Sequence, residues 1–226
     1  MQQLEANFKT DIEQIGRIPA VPAILEVICR TTGLGFSAVA RVTPERWVTC
    51  AVKDDIQFGL LPGGELKVDT TICHEIRQSG KEVIIDHVSE DEHYRSHHTP
   101  AQYGFQSYIS VPIFTNGGNF WGTLCAIDPS PALLNNSAIR NLFKLYAELI
   151  AMHLEALHNN VPDELEHLNK TTVAALQKQL AAITERTNDG VNARQMREQE
   201  RKALVLTVET IVAELSELLG SLKEPA

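Results

Sequence analysis

The chain has 226 residues, 43% of them hydrophobic and 22% charged, which suits one generous domain, or a domain with a helical appendage. Twenty Lys and Arg stand against 29 Asp and Glu, a formal net charge of −9, so no broad basic face exists for nucleic acid or an anionic membrane. No run approaches the ~20 apolar residues of a membrane span, and the opening Met1-Gln2-Gln3-Leu4-Glu5 lacks the charged and apolar regions of a signal peptide.

The cysteines (Cys29, Cys50, Cys73, Cys125) are scattered without CxxC spacing, which indicates neither a disulfide framework nor a zinc site. A cytoplasmic protein is expected. Residues 1–15 and 21–30 read as helices separated by Pro19 and Pro22, and Gly33-Leu34-Gly35 closes the second. Residues 36–42 and 46–52 read as a strand pair joined by Thr43-Pro44-Glu45. Residues 54–67, with Gly59, Pro62, Gly63 and Gly64, read as irregular. Asp69 and Thr70 are expected to cap a short helix over 71–78, stopped by Gly80. Val83-Ile84-Ile85 is a brief buried strand ending at Asp86, and residues 89–103 are polar and His-rich. Residues 107–114 and 119–127 form the strongest strand pair, turned at Asn116-Gly117-Gly118, and a helix over 137–157 follows. Gly and aromatic residues nearly vanish beyond this point. This order implies an α+β fold: a mostly antiparallel sheet with helices on one face and long loops over the other, where a small molecule could be enclosed.

Beyond Pro162, which suits a first helical turn, two amphipathic segments flank the breaker Asn188-Asp189-Gly190. Leu165, Leu168, Thr172, Leu176, Leu180 and Ile183 mark one apolar face. Leu204, Val208, Ile211, Leu215, Leu218 and Leu222 form a heptad seam on the other segment. A hairpin alone would expose too much apolar surface, so homodimerisation through these C-terminal helices is expected, with packing back onto the same chain as the alternative.

Val111-Pro112-Ile113 ending one strand, then Trp121-Gly122-Thr123-Leu124-Cys125-Ala126-Ile127-Asp128 on the next, resembles the GAF family, small-ligand modules of signalling proteins. The resemblance covers about residues 22–157 and implies a domain over 22–158, an N-terminal helix over 1–21 and a helical hairpin or coiled-coil dimerisation segment over 159–226. Phytochromes are similar through residues 103–111. Their bilin-attaching cysteine would fall near Arg95 or Ser96, and no cysteine lies between Cys73 and Cys125, so a covalent bilin at that position is excluded. A non-covalent bilin stays open through His97 or His98. The Asn-Lys-Phe-Asp-Glu set of cyclic-nucleotide-binding members cannot be placed. The cysteine group of the GAF-type methionine sulfoxide reductases reduces here to Cys73, within Ile72-Cys73-His74 in place of V-C-G.

The resemblance therefore implies a non-enzymatic sensor whose helices relay ligand binding, with a histidine kinase or other signalling protein as partner and an unidentified ligand. Pocket contacts are expected from Phe58, Cys73, Asp86, Tyr94, His97, His98, Tyr103 and Ser107. Each has a structural alternative: Cys73 as a small core residue, Asp86 as a turn cap, the aromatics as core, and His87, His93, His97 and His98 as a solvated loop instead of a weak metal site. The function alternatives are a redox component using Cys73, a phosphotransfer component using His167, or a structural dimerisation module with a filled pocket. His167-Leu168-Asn169-Lys170 resembles the His-x-x-Lys of histidine phosphotransfer helices, but Leu168 occupies the acid's place and Thr172 the proline's. Autokinase activity is excluded for this chain, which has no room for a nucleotide-binding domain.

Overall fold

Proline and glycine punctuate the chain much as their backbone preferences require. The computed structural model describes residues 2–186 and 198–223, with side chains placed at 7–185 and 204–223. Helix α1 (Gln2–Gly16) is followed, across Pro19, by α2 (Ala20–Thr32), which ends on Gly33 at φ 75°, a left-handed position that favours glycine. Strands β1 (Phe36–Val42) and β2 (Trp47–Asp54) pair antiparallel. Residues 54–67, expected to be irregular throughout, contain the two-residue edge strand β3 (Glu65–Leu66), paired with Trp47 and Val48. Helix α3 (Ile72–Ser79) ends on Gly80, and β4 (Val83–Ile85) follows. Asp69 and Thr70 do not cap α3. They lie in a 3-10 turn, where the Thr70 hydroxyl donates to Lys67 O and Thr71 holds the cap position without a side-chain bond.

Helix α4 (His98–Tyr103) leads into β5 (Ser107–Thr115) and β6 (Asn119–Asp128), and α5 (Ser137–Asn159) follows. The sheet order is β3-β2-β1-β6-β5-β4, every neighbour antiparallel. Gly122 is required by sheet closure: a side-chain carbon there would lie 2.1 Å from Ala40 O on β1. The two-residue period divides the strands between faces. Val39, Ile109, Val111, Ile113, Leu124 and Ala126 face α1, α2 and α5. Phe36, Ala38, Tyr108, Cys125 and Ile127 face the loops, α3 and α4.

Helices α6 (Pro162–Arg186) and α7 (Glu198–Lys223) add a further layer. Helix α6 packs on α2 and α5, and α7 packs on α5 and α6. Leu176 and Ile183 on α6, and Leu204, Val208, Ile211 and Leu215 on α7, are buried in the same core as α2 and α5. Most of the heptad seam expected to meet a second chain is thus covered within one chain, by α5 and α6, with Leu218 and Leu222 partly exposed. The Asn188-Asp189-Gly190 breaker lies outside the described residues. No helix among the described residues is long and apolar enough to cross a membrane.

Candidate functional site

On the loop-covered face, the space between sheet and cover is filled by side chains. Phe36, Trp47, Ile72, Cys73, Tyr108, Cys125 and Ile127 leave only a small void of about 40 Å³ in place of the roomy chamber expected beneath the loops. Beside it lies a cleft of about 490 Å³, between the 56–66 loop and the end of α4. Its walls are Ile56, Gln57, Phe58, Leu60, Leu66, Gln102, Tyr103, Gly104, Phe105, Ile127 and Pro129, with no formally charged side chain among them. Phe58, Leu60, Leu66, Tyr103, Phe105 and Ile127 border both spaces and form the partition.

The partition is held from outside. The Asp54 carboxylate accepts from the N–H groups of Ile56, Phe58 and Gly59 at 3.2, 3.0 and 2.8 Å, fixing the loop after β2. Phe58 packs at 4.9 Å from Phe36 and 6.2 Å from Tyr103, centroid to centroid. The Tyr103 and Thr70 hydroxyls lie 2.6 Å apart. Thr70 gives its proton to Lys67 O, so Tyr103 is the donor of this pair. Thr99 Oγ1 donates to Thr70 O at 2.7 Å, tying α4 to the turn before α3.

Beneath the partition lies a buried cluster centred on Cys73 Sγ. The hydroxyls of Tyr108 and Thr123 each lie 3.4 Å from it, and Cys125, whose thiol donates to Ala38 O at 3.7 Å, lines the same void. The Trp47 indole lines the same void, its N–H buried without a hydrogen-bond partner. The Cys125 contact first, then the hydroxyls and indole, draw the Cys73 thiol below its ordinary pKa against the opposing cost of burial. The same contact, with burial, raises Cys125.

Of the eight residues expected in the pocket, the structure gathers Phe58, Cys73 and Tyr103 around these spaces. Tyr94, His97 and His98 form a separate group against α3. His97 Nε2 lies 2.8 Å from Glu75 Oε1 and its Nδ1 accepts from Thr99 N, while His98 stacks on it from solvent. Burial, then Glu75 and Asp91, push the Tyr94 phenol up to about 12. Asp86 faces the start of α5, accepting from Leu134 N at 2.7 Å and Asn135 N at 2.8 Å. Ser107 Oγ donates to Ser130 O at 2.7 Å. Neither lines the cleft or the inner void. Trp47, Tyr108, Thr123 and Cys125 were absent from the expected set; only strand register places them there.

A bilin does not fit. Its two propionates call for cationic partners, the cleft walls supply none, and His97 is committed to Glu75. Among the described residues, no group of three or more His, Cys, Asp or Glu is placed to hold a metal ion. His167 is an exposed residue of α6. A larger open groove, about 830 Å³, lies between the β4 edge and α5, but Glu82 there already pairs with Arg140 and Lys144 at 3.2 and 2.8 Å.

The GAF domain family model matches residues 17–154. No curated protein matches the chain. Among solved structures, the GAF domain region of a Geobacter sulfurreducens protein is similar at 16% identity, covering 66% of this chain and 97% of that one, with a TM-score of 0.50. The free methionine-R-sulfoxide reductase of Neisseria meningitidis, solved with its substrate, is similar at 17% identity, covering 71% of this chain and 89% of that one, also with a TM-score of 0.50. At these identities the likeness is one of fold, and this fold carries enzymes as well as sensory modules. With the family model spanning more than half of its length, the chain belongs to the GAF domain family.

Proposed function

We propose that the protein is a non-enzymatic GAF signalling module that takes a small, uncharged and largely apolar molecule in the cleft between the 56–66 loop and α4. The observation that carries this reading is the cleft's composition. In a chain of net charge −9, the cleft's eleven wall residues carry no formal charge, and only Gln57 and Gln102 offer side-chain amides. Burying an unpaired charged ligand against such walls is costly, whereas an apolar ligand gains on the order of 25 cal/mol for each Å² removed from water.

The sheet's construction supports an output role for the helices. Cys125 and Ile127 of β6 face the binding side, while Leu124 and Ala126 of the same strand pack into the core shared with α5, α6 and α7. A ligand that displaces Phe58 or Tyr103 shifts a floor only one strand thick, and the helical layer on its far side is the element whose docking it biases.

Titration of the full chain with 2-naphthol and with 2-naphthoate, followed by intrinsic fluorescence, tests this reading. Naphthol should bind saturably and naphthoate about tenfold or more weaker, a difference of roughly 1.4 kcal/mol or more. Leu60→Trp, which fills the cleft, should abolish naphthol binding. Equal binding of both probes, or naphthol binding unaffected by Leu60→Trp, contradicts the proposal.

A further inference from the structure

Two of the four cysteines meet in the core although 52 positions separate them. Cys73 lies on α3, part of the cover, and Cys125 on β6, part of the floor. Both are buried and both line the 40 Å³ void, with the Cys125 thiol donating to Ala38 O at 3.7 Å. Cys29 and Cys50 have other surroundings: Cys29 Sγ donates to Ser37 Oγ at 3.3 Å, and Cys50 lies in the helix-side core. Burial pushes both of those thiols up to about 12, outweighing the opposing pull of Ser37 and Lys53 on Cys29 and of Arg41 on Cys50.

Cys73 is surrounded differently. Two hydroxyls, of Thr123 and Tyr108, lie 3.4 Å from its sulfur, and the buried Trp47 indole, whose N–H has no hydrogen-bond partner, lines the same void. Neutral donors around a sulfur favour its thiolate, the nucleophilic form. The neighbouring Cys125 keeps its proton and stands ready as the second sulfur. A void needs about 10–15 Å³ to admit a water molecule, so the 40 Å³ beside the pair has room for a small peroxide. The partition residues Phe58, Leu60 and Tyr103 separate that void from the outer cleft, and the reagent enters where their side chains move aside.

We infer that Cys73 and Cys125 form a peroxide-sensitive thiol pair that closes to a disulfide, tying α3 to β6. Cys73 thiolate attacks one oxygen of hydrogen peroxide, the O–O bond breaks, and the departing hydroxide takes a proton to leave as water, with Cys73 as sulfenic acid. Cys125 sulfur then attacks the Cys73 sulfur. The S–O bond breaks, the hydroxyl leaves with the Cys125 proton as a second water, and the S–S bond forms. Two thiols lose two electrons in all, and one peroxide gains them. The inference does not depend on which ligand the outer cleft takes.

The test uses the reduced full chain, treated with hydrogen peroxide under conditions that leave its circular dichroism unchanged, then unfolded in N-ethylmaleimide and digested. Two cysteines, Cys29 and Cys50, should carry the label, and a linked Cys73–Cys125 peptide should appear that dithiothreitol removes. In Cys125→Ser the linked peptide should be lost and dimedone should trap a sulfenic acid at Cys73. Thr123→Val, which keeps both sulfurs and removes one donor, should slow closure severalfold. Four labelled cysteines after peroxide, a link through Cys29 or Cys50, or an unchanged rate in Thr123→Val would overturn the inference.

Discussion

Asp86 organises the segment ahead of α5 through two short bonds from backbone N–H groups, and it takes no part in the cleft. Asp86→Ala should therefore lower stability by about 1–3 kcal/mol, the cost of stranding such donors, and leave naphthol affinity within twofold of the parent. Urea unfolding and the naphthol titration check the two halves of that statement, and a large loss of affinity at unchanged stability would contradict it. Phe58, Cys73 and Tyr103 were legible as pocket residues because glycine-rich and polar surroundings marked their segments as covering structure. Tyr108 and Cys125 were not assigned to the pocket from sequence. Which side of a strand a residue faces depends on register, and a slip of one residue would have sent both to the helical core. The histidines of 87–98 stand apart from the cleft, and His87 and His97 are engaged by Glu90 and Glu75.

At the scale of elements, strands and helices with strong periodicity appear where the sequence places them, within a residue or two. β3 was missed because two residues carry no period; its pairing with β2 depends on the loop returning to that edge. The α5–α6 contact holds polar groups that periodicity also missed. Tyr146 donates to Gln179 Oε1 at 2.8 Å inside the layer, and His153 is buried on the same helix. His153 Nδ1 donates to Leu149 O at 2.7 Å, leaving Nε2 buried and without a partner. Burial holds its pKa below the ordinary 6.5, the Leu149 contact opposing more weakly. The folded state thus prefers neutral His153 while the unfolded chain takes up a proton near its ordinary value. The stability associated with the neutral ring is present above about 6.5 and is lost as pH falls below it. Urea midpoints at pH 8 and 5.5 should separate more in the parent than in His153→Gln; an equal separation would contradict this assignment. Leu176, fully buried against α2 and α5, should cost about 2–5 kcal/mol on replacement by Ala, read from the same unfolding curves.

The molecule as a whole is layered: covering loops with α3 and α4, the six-stranded sheet, the α1, α2 and α5 helices, then α6 and α7. The outermost layer was foreseen as two amphipathic helices, with a second chain as their expected partner and their own chain as the alternative. A heptad seam states that it needs an apolar partner and not whose, and in this structure α5 and α6 meet most of it. The central claim is that an uncharged ligand enters between the 56–66 loop and α4. Hydrogen–deuterium exchange of the full chain with and without saturating 2-naphthol addresses it directly. The account predicts slowed exchange at residues 56–66 and 102–108. Slowing at residues 80–84 and 140–148 instead, where the charged groove lies, or no change anywhere, would contradict it.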